Sequence, residues 1–236
     1  MLTVLTALLG LVQGSLFATI VLRLPQARPI GMARSVCDAC GVRLVWFELV
    51  PLLSWGWLRG RCRRCGTTIA LVHPLLEAGS MLVWIAALYL APGDVPERFA
   101  WGFLGASTLA LLWSDFADQL LPDLIVGSIA VVGLTRAATL QTLNEAVGAS
   151  LLAGSLLLLV RWAFIRLRKR EALGFGDVKL FAALGLWMQP QQIGPALLIA
   201  ALATLTVALA ARVQPQREIP FGPGLLLGAW IVFTIA

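Results

Sequence analysis

Apolar segments of membrane-spanning length recur along this sequence, and they limit the folds that are open to it. A helix needs about 17–25 mostly apolar residues to cross a bilayer, and several segments reach that length. Hydrophobic residues make up 59% of the chain and charged residues 13%, whereas charged residues form about a quarter of a soluble domain. Since lipid offers no partners to backbone groups, we predict an all-α polytopic membrane protein.

The breaks between apolar segments predict about eight transmembrane helices, with both chain ends on the outer side of the membrane. The first segment has no Lys or Arg before Arg23, so it lacks the basic start of a cleavable signal peptide and is expected to be retained. The sixth segment is short and stops near Pro190. The predicted spans are residues 1–22, 74–91, 98–114, 124–140, 145–165, 180–190, 194–211 and 223–236.

Basic residues cluster in three predicted loops, which the positive-inside rule places in the cytoplasm. The formal net charge is +6, yet no basic module stands apart from the membrane segments, so nucleic-acid binding is not expected. We therefore predict a first helix over 1–22, a cytoplasmic domain over 23–73 and a transmembrane domain over 74–236. The basic residues of these loops are Arg23, Arg28, Arg34, Arg43, Arg59, Arg61, Arg63, Arg64, Arg166, Arg168, Lys169, Arg170, Arg212 and Arg217.

The four cysteines form two C-x-x-C pairs in the predicted cytoplasmic domain. Two such pairs can supply the four thiolates of a tetrahedral structural Zn²⁺ site, although their separation is slightly longer than in common zinc ribbons. Gly41 and Gly66 follow the pairs, where a tight turn needs a permissive backbone. Two disulfides and free structural cysteines are the alternatives, and a cytoplasmic location argues against disulfides. The predicted zinc ligands are Cys37, Cys40, Cys62 and Cys65.

Two acidic stretches lie at predicted inner boundaries of the membrane. The first runs from Ser114 to Asp123 (SDFADQLLPD), and the second is Gly174-Phe-Gly-Asp177. Two carboxyl groups that share a proton can hydrolyse a peptide bond, because one activates water while the other polarises the carbonyl. Gly174 and Gly176 would let a substrate backbone approach Asp177 and would permit unusual dihedral angles at a helix start. A single acid at a helix start is often only a cap, and we assign that role to Asp123.

Together, the acidic stretches resemble those of the type IV prepilin peptidases, which are GxGD-type intramembrane aspartyl proteases. The resemblance covers nearly the whole chain and implies that Asp115 and Asp177 are the catalytic acids. This sequence has Ala117 where many relatives carry another acid and Asp118 where many carry His, so Asp118 is a rival for the first acid. The other matching segments are Gly14-Ser-Leu-Phe17, Arg23-Leu-Pro25, Pro51-Leu-Leu-Ser54, Arg59-Gly-Arg-Cys-Arg-Arg-Cys-Gly66, His73-Pro-Leu-Leu-Glu77 and Ile219-Pro-Phe-Gly-Pro223.

The roles of several polar residues near the acids stay open at this stage. Asp115 and Asp118 are one helical turn apart and would share a face, so their spacing does not choose between them. Lys179 is expected to be a neighbouring cation or a contact for lipid phosphate. Glu77 could support the active site or pair with an arginine, and His73 is expected at the membrane interface rather than as a metal ligand.

The resemblance also implies a substrate, a cellular location and a second activity. Family members cut prepilins or pseudopilins of type IV pilus and type II secretion systems after a Gly, at the cytoplasmic face of the bacterial inner membrane. Many relatives with the cysteine domain also N-methylate the new N-terminus with S-adenosylmethionine, but this sequence shows no glycine-rich nucleotide loop. Two other classes remain: a transporter with proton- or cation-carrying acids deep in its spans, and a non-catalytic scaffold that presents a zinc ribbon.

Overall fold

The computed structural model describes residues 1–28, 30, 35–169, 173–210 and 220–235. The helices are α1 (Leu2–Arg23), α2 (Leu53–Trp57), α3 (Val72–Leu90), α4 (Val95–Asp118), α5 (Asp123–Thr139), α6 (Leu143–Arg168), α7 (Phe175–Gly185), α8 (Ile193–Ala210) and α9 (Gly222–Ile235). Short 3₁₀ turns precede α2, at Trp46–Leu49, and α8, at Pro190–Gln192. Across the described ranges, extended pairing is limited to two isolated bridges, so the all-α prediction is confirmed.

Some features predicted from the sequence fall outside the described residues. These are the basic residues Arg34, Arg170, Arg212 and Arg217, together with Ile219 at the start of the last matching segment. For Arg168, which ends α6, only the backbone is described.

Each predicted span corresponds to one of the longer helices, and the count of eight crossings stays a prediction. Helices α1, α3 and α6 and the segment Pro190–Ala210 are long and apolar enough to cross a membrane, and α9 is a shorter apolar helix. Helix α7 has 11 residues, which is about 16 Å of helix and about half of a hydrocarbon core. It begins at Phe175 and ends at Gly185, so the span predicted over 180–190 was wrong at both ends. Crossing by α4, α5 and α7 stays a prediction.

The described chain forms two compact units, Met1–Ala110 and Leu111–Ala236. In the first unit, α1 packs on α3 with glycines at the contact. A Cβ on Gly10 would lie 2.6 Å from the Cα of Met81, and a Cβ on Gly14 would lie 2.5 Å from the carbonyl oxygen of Leu76. The backbones therefore touch directly, which is common where small residues lie at a contact between helices. The domain boundaries predicted after residues 22 and 73 stay predictions.

A buried glutamine holds three helices of the first unit together. Gln13 donates from Nε2 to the carbonyl of Phe103 at 3.1 Å and to the hydroxyl of Ser107 at 3.2 Å. Its Oε1 accepts a hydrogen bond from the indole of Trp84 at 2.7 Å. The amide of this one side chain thus bonds to α3 and to α4, and its polar atoms are satisfied away from water.

In the second unit, α7 packs against α5 and α6, while α9 packs against α8. The hydroxyl of Ser150 in α6 donates to the carbonyl of Ala182 in α7 at 2.8 Å. A Cβ on Gly185 would lie 2.7 Å from the Cα of Ser150, so α6 and α7 are in backbone contact. Leu180 and Phe181 are fully buried. These contacts fix α7 firmly, and its first turn carries Asp177.

Candidate active site and metal site

Two carboxyl groups of the second unit interact, one at the end of α4 and the other at the start of α7. Asp115 lies in the last turn of α4 and is 4% exposed, while Asp177 lies in the first turn of α7 and is 9% exposed. The charge of Asp115 acts directly on Asp177. Two buried carboxyl groups that interact do not ionise independently of each other. Both acids are at helix ends rather than in the middle of a helix.

The start of α7 explains the position of Asp177. Gly174 is the residue before the helix, so Asp177 is the third residue of its first turn. The Gly174 backbone hydrogen-bonds to the Asp177 carboxyl group, which is half of the reciprocal arrangement known as a capping box. Negative charge is also favoured at a helix N-terminus. Asp177 therefore has a structural role in its own helix in addition to the predicted catalytic one.

The glycines around the acids provide space rather than special backbone angles. Gly174 has φ −65° and ψ 145°, which any residue adopts, and neither it nor Gly176 has a positive φ. The expectation of unusual dihedral angles was therefore wrong. A Cβ on Gly176 would lie 3.3 Å from the Cβ of Leu121, and a Cβ on Gly174 would lie 3.2 Å from an oxygen of Asp177. A side chain at either position would crowd the start of α7.

Gly222 completes the site, although the sequence analysis gave it no role. It is the first residue of α9, and its backbone hydrogen-bonds to the Asp115 carboxyl group. A Cβ on Gly222 would lie 2.6 Å from Oδ2 of Asp115 and 3.5 Å from the Leu121 side chain. Within the described ranges, Oδ2 of Asp115 has no hydrogen-bond partner. The sequence signal that could have indicated a role for Gly222 was its position inside the Pro-Phe-Gly-Pro string. For Leu121 the corresponding signal was its position in Leu-Leu-Pro.

The other acids near the pair are exposed. Asp118 ends α4 on the surface, so the structure separates the two candidates that spacing alone did not. Asp123 is the first residue of α5, after the capping residue Pro122, so its assignment as a cap was wrong. The Lys179 ammonium donates to both Asp123 oxygens, at 2.8 and 2.9 Å. Asp123 is thus the acid that pairs with Lys179.

The two C-x-x-C pairs adopt the same local structure. In each, the first cysteine donates its N–H to a carbonyl five residues on: Cys37 to Val42 at 2.9 Å, and Cys62 to Thr67 at 2.8 Å. Gly41 and Gly66 follow with φ of 67° and 72°, as the turn residues were expected to. One isolated bridge closes each turn, between Val36 and Arg43 and between Arg61 and Thr68. This small repeat was not predicted.

The four sulfurs converge on one point. The ligand atoms of Cys37, Cys40, Cys62 and Cys65 all lie within 4.8 Å of one another, and all four thiols are free. The sulfurs of Cys37 and Cys65 are 3.8 Å apart. A tetrahedral site with Zn–S bonds of about 2.3 Å also places its sulfurs about 3.8 Å apart. The cluster therefore matches a four-thiolate metal site.

The metal-free thiols differ in acidity. A hydrogen bond with the Val42 backbone favours the Cys40 thiolate, but desolvation and the Cys37 and Cys65 sulfurs outweigh it and raise the pKa of Cys40 to about 11. Hydrogen bonds with the side chain and backbone of Thr67 lower the pKa of Cys65 to about 6. At neutral pH the cluster thus retains at least one proton that a metal ion would displace.

Comparison with known proteins identifies the family. The chain matches the bacterial peptidase A24 N-terminal domain over residues 8–91 and the type IV leader peptidase family over residues 102–209. It therefore belongs to the type IV leader peptidase family. No solved structure matches it.

Three relatives named prepilin leader peptidase/N-methyltransferase illustrate the similarity. The protein of Aeromonas hydrophila is 36% identical over 84% of this chain and 70% of its own length. That of Dickeya chrysanthemi is 37% identical over 92% of this chain and 87% of its own length. That of Klebsiella pneumoniae is 37% identical over 82% of this chain and 88% of its own length.

Proposed function

We propose that this chain is a membrane-embedded aspartyl endopeptidase that removes the leader of type IV prepilins or pseudopilins and then N-methylates the new N-terminus. The observation that carries the proposal is the buried pair of Asp115 and Asp177 at the ends of α4 and α7. Relatives that match most of the chain are named for these two activities. The acids lie at helix ends, which favours a protease over a transporter that would place them in the middle of its spans.

The pair can perform hydrolysis without further groups. One carboxylate accepts a proton from a water molecule, which attacks the carbonyl carbon of the scissile bond, while the other carboxyl group donates a proton to the carbonyl oxygen. The tetrahedral intermediate then breaks at its C–N bond, and the departing amine takes up a proton. Gly174 is exposed and Gly176 half-buried, so a peptide can lie against the helix start beside Asp177.

The location of cleavage follows from the placement of charge along the chain. Leu2–Arg23 and Leu143–Leu167 are helices of membrane-spanning length, and each meets a basic stretch at its C-terminal end. By the positive-inside rule these ends face the cytoplasm of a bacterial inner membrane. The cysteine domain and the acid pair then face the same compartment. There a substrate helix enters from the lipid and water enters from the cytoplasm.

The cysteine cluster is proposed to hold a structural zinc ion. Zinc is the usual occupant of a tetrahedral four-thiolate site, and a site with all four positions filled by protein has none left for a reacting molecule. The backbone N–H of Arg64 also lies 3.4 Å from the Cys62 sulfur, where it can support a thiolate. We assign the ion to the folding of residues 35–69 rather than to peptide cleavage.

Substitution of single acids tests the protease proposal. Purified Asp115→Asn and Asp177→Asn chains, incubated with a prepilin in detergent, should lose cleavage by about 100- to 10,000-fold, because each acid takes part in proton transfer. Asp118→Asn is the matched control, since it makes the same change one turn away on the surface, and it should cleave normally. Cleavage is read as the mass of the mature product.

Two results would contradict these assignments. Normal processing by Asp177→Asn would rule out the mechanism. Normal processing by Asp115→Asn together with loss in Asp118→Asn would transfer the first role to Asp118. Zinc content and helical circular dichroism, measured on each variant, show whether the chain is folded. A scaffold without catalytic function predicts that all three variants behave alike.

A further inference from the structure

We propose that a cleft in the first unit binds the methyl donor S-adenosylmethionine, with the Glu77 carboxylate as the counter-charge for its sulfonium group. The inference rests on the proposed N-methyltransferase function, to which it adds a place and a residue. The cleft is lined by the C-terminal end of α1, the N-terminal end of α3 and the cysteine hairpins, and its volume is about 410 Å³. Pockets for ligands of this size class measure about 300–1,000 Å³.

Acidic side chains concentrate at this cleft although the surrounding segment is strongly basic. The predicted cysteine domain contains eight arginines but two acids, and both acids, Asp38 and Glu48, line the cleft together with Glu77. Asp38 forms an ion pair with Arg28, with an N···O distance of 2.8 Å. Glu48 pairs with Arg63 at 3.0 Å. Guanidinium and carboxylate groups therefore line the same cavity, which suits a ligand that carries both signs of charge.

Glu77 differs from the other two acids because it makes no ion pair with an arginine within the described residues. Its side chain is buried, at 5% exposure, and Oε2 accepts the backbone N–H of Leu52 at 2.8 Å. His73, one turn earlier in α3, is a titratable neighbour that also lines the cleft. A buried carboxylate with few donors favours a nearby cation. A sulfonium ion suits this position because it cannot neutralise itself by losing a proton.

Trp55 gives the cleft an aromatic surface with an unused donor. Its indole Nε1 is buried and meets no acceptor in the part of the chain that the structure describes. The ring packs against Gly60, where a Cβ would lie 2.8 Å from a ring carbon. Aromatic rings commonly stack on nucleobases. An adenine ring is therefore a suitable neighbour for Trp55.

Each part of S-adenosylmethionine has a side chain of suitable chemistry in the cleft. Trp55 suits the adenine, Arg28 suits the carboxylate of the amino-acid part, and Glu77 suits the positive charge at sulfur. The bound donor supplies a methyl group: the substrate amine forms an N–CH₃ bond as the S–CH₃ bond breaks, the electron pair stays on sulfur, and the amine releases a proton. The role of the chain in this proposal is to bind and orient.

Equilibrium binding to the purified full-length chain tests the role of Glu77. S-adenosylmethionine and S-adenosylhomocysteine differ by one methyl group and its positive charge. The variant Glu77→Gln keeps an oxygen that can accept the Leu52 N–H. Its affinity for S-adenosylmethionine should fall at least tenfold, whereas its affinity for S-adenosylhomocysteine should fall less than threefold. Glu145→Gln, the matched change on the exposed start of α6, should alter neither affinity.

Two outcomes of the binding experiment overturn the assignment of Glu77. They are unchanged affinity in Glu77→Gln, and an equal loss for both ligands. Ultraviolet crosslinking of methyl-labelled donor to the wild-type chain then tests the cleft itself. The label should appear on peptides that contain Trp55 or the C-terminal end of α1. Label found only on other peptides overturns the location.

Prepilin cleavage, measured on the same samples, separates this inference from the proposed function. A wild-type chain that cleaves prepilin but binds no S-adenosylmethionine overturns the donor site and leaves the endopeptidase intact. A wild-type chain that neither cleaves prepilin nor binds the donor contradicts both. Glu145→Gln, which lies in neither site, should both cleave prepilin and bind the donor as the wild type does, and a loss of donor binding in that variant equal to the loss in Glu77→Gln would contradict a specific role for Glu77.

Discussion

The cysteine cluster and the carboxyl pair are built in opposite ways. The four cysteines lie within one short segment, each pair on its own glycine-ended turn, and they are exposed or half-buried. The acids come from two distant helices, are buried, and depend on Gly222 of a third helix. The cysteine cluster should therefore tolerate changes in helix packing. The carboxyl pair, in contrast, should lose its geometry when the helices shift by a fraction of an ångström.

The sharpest test of this contrast is Gly222→Ala, because a Cβ there would lie 2.6 Å from Oδ2 of Asp115. The carboxyl group must move, and displacement of a reacting group by about 1 Å can cost about 100-fold in rate. We expect prepilin cleavage to fall by about that factor while zinc content stays at the wild-type value. Gly127→Ala is the matched control, since a Cβ there meets nothing within 4 Å. Wild-type cleavage by Gly222→Ala would contradict the proposed geometry.

Gly14→Ala tests the tolerance of the cysteine cluster to a packing defect in its own unit. The new Cβ would lie 2.5 Å from the backbone carbonyl oxygen of Leu76, which cannot rotate away. Overpacking of this kind typically costs about 2 kcal/mol of stability. Thermal unfolding in detergent should show the loss, with zinc content unchanged. Gly148→Ala is the control: a Cβ there meets nothing within 4 Å, so the change should be neutral or slightly stabilising. Loss of zinc from Gly14→Ala would contradict the expected tolerance of the cysteine cluster to packing changes.

The pH dependence of zinc affinity tests the chemistry of the exposed cluster. Cys40, with its pKa raised to about 11, is protonated at neutral pH in the metal-free chain, whereas Cys65, with its pKa lowered to about 6, is mostly ionised. Zinc must displace at least the Cys40 proton, so affinity should rise about tenfold per pH unit between pH 7 and 8. Competition with a chelator measures this slope, and a flat profile would show that the thiols are already ionised.

The smallest effect is expected for Asp123→Asn, which removes the exposed ion pair with Lys179. Asp123 is 70% exposed and Lys179 39% exposed, so water screens their attraction. Exposed pairs of this kind contribute less than about 1 kcal/mol. The unfolding temperature should change little, and Asp118→Asn, the same change at another exposed acid, is the matched control. A large loss of stability from Asp123→Asn would contradict the small contribution to stability that its exposure indicates.

Local features of the fold and site could be predicted from the sequence. The helices follow the apolar segments, and the cysteine turns follow from C-x-x-C-Gly, because each depends on neighbouring residues. Asp123 shows where local reasoning failed: it has the sequence context of a cap, but its partner Lys179 is in another helix. The start of α7 was misplaced because the apolar run begins at Leu180, while the helix begins directly after Gly174.

Contacts between distant helices could not be predicted. Asp115 and Asp118 are equivalent by spacing, and only the packing of the helices buries one and exposes the other. Gly222 had no visible role because its contact is with a residue more than 100 positions earlier in the chain. The family resemblance indicated Asp115 as the first acid. The steric requirement for a glycine at position 222 became visible only in the three-dimensional structure.

Leu121 offers a way to alter the site without touching either acid. Its side chain lies against the positions where Gly176 and Gly222 would carry a Cβ, at 3.3 and 3.5 Å. One leucine in the connection between α4 and α5 therefore sets the width available beside both glycines. A larger aliphatic residue at position 121 would therefore narrow the space beside both glycines, and a smaller one would widen it, while both acids stay unchanged.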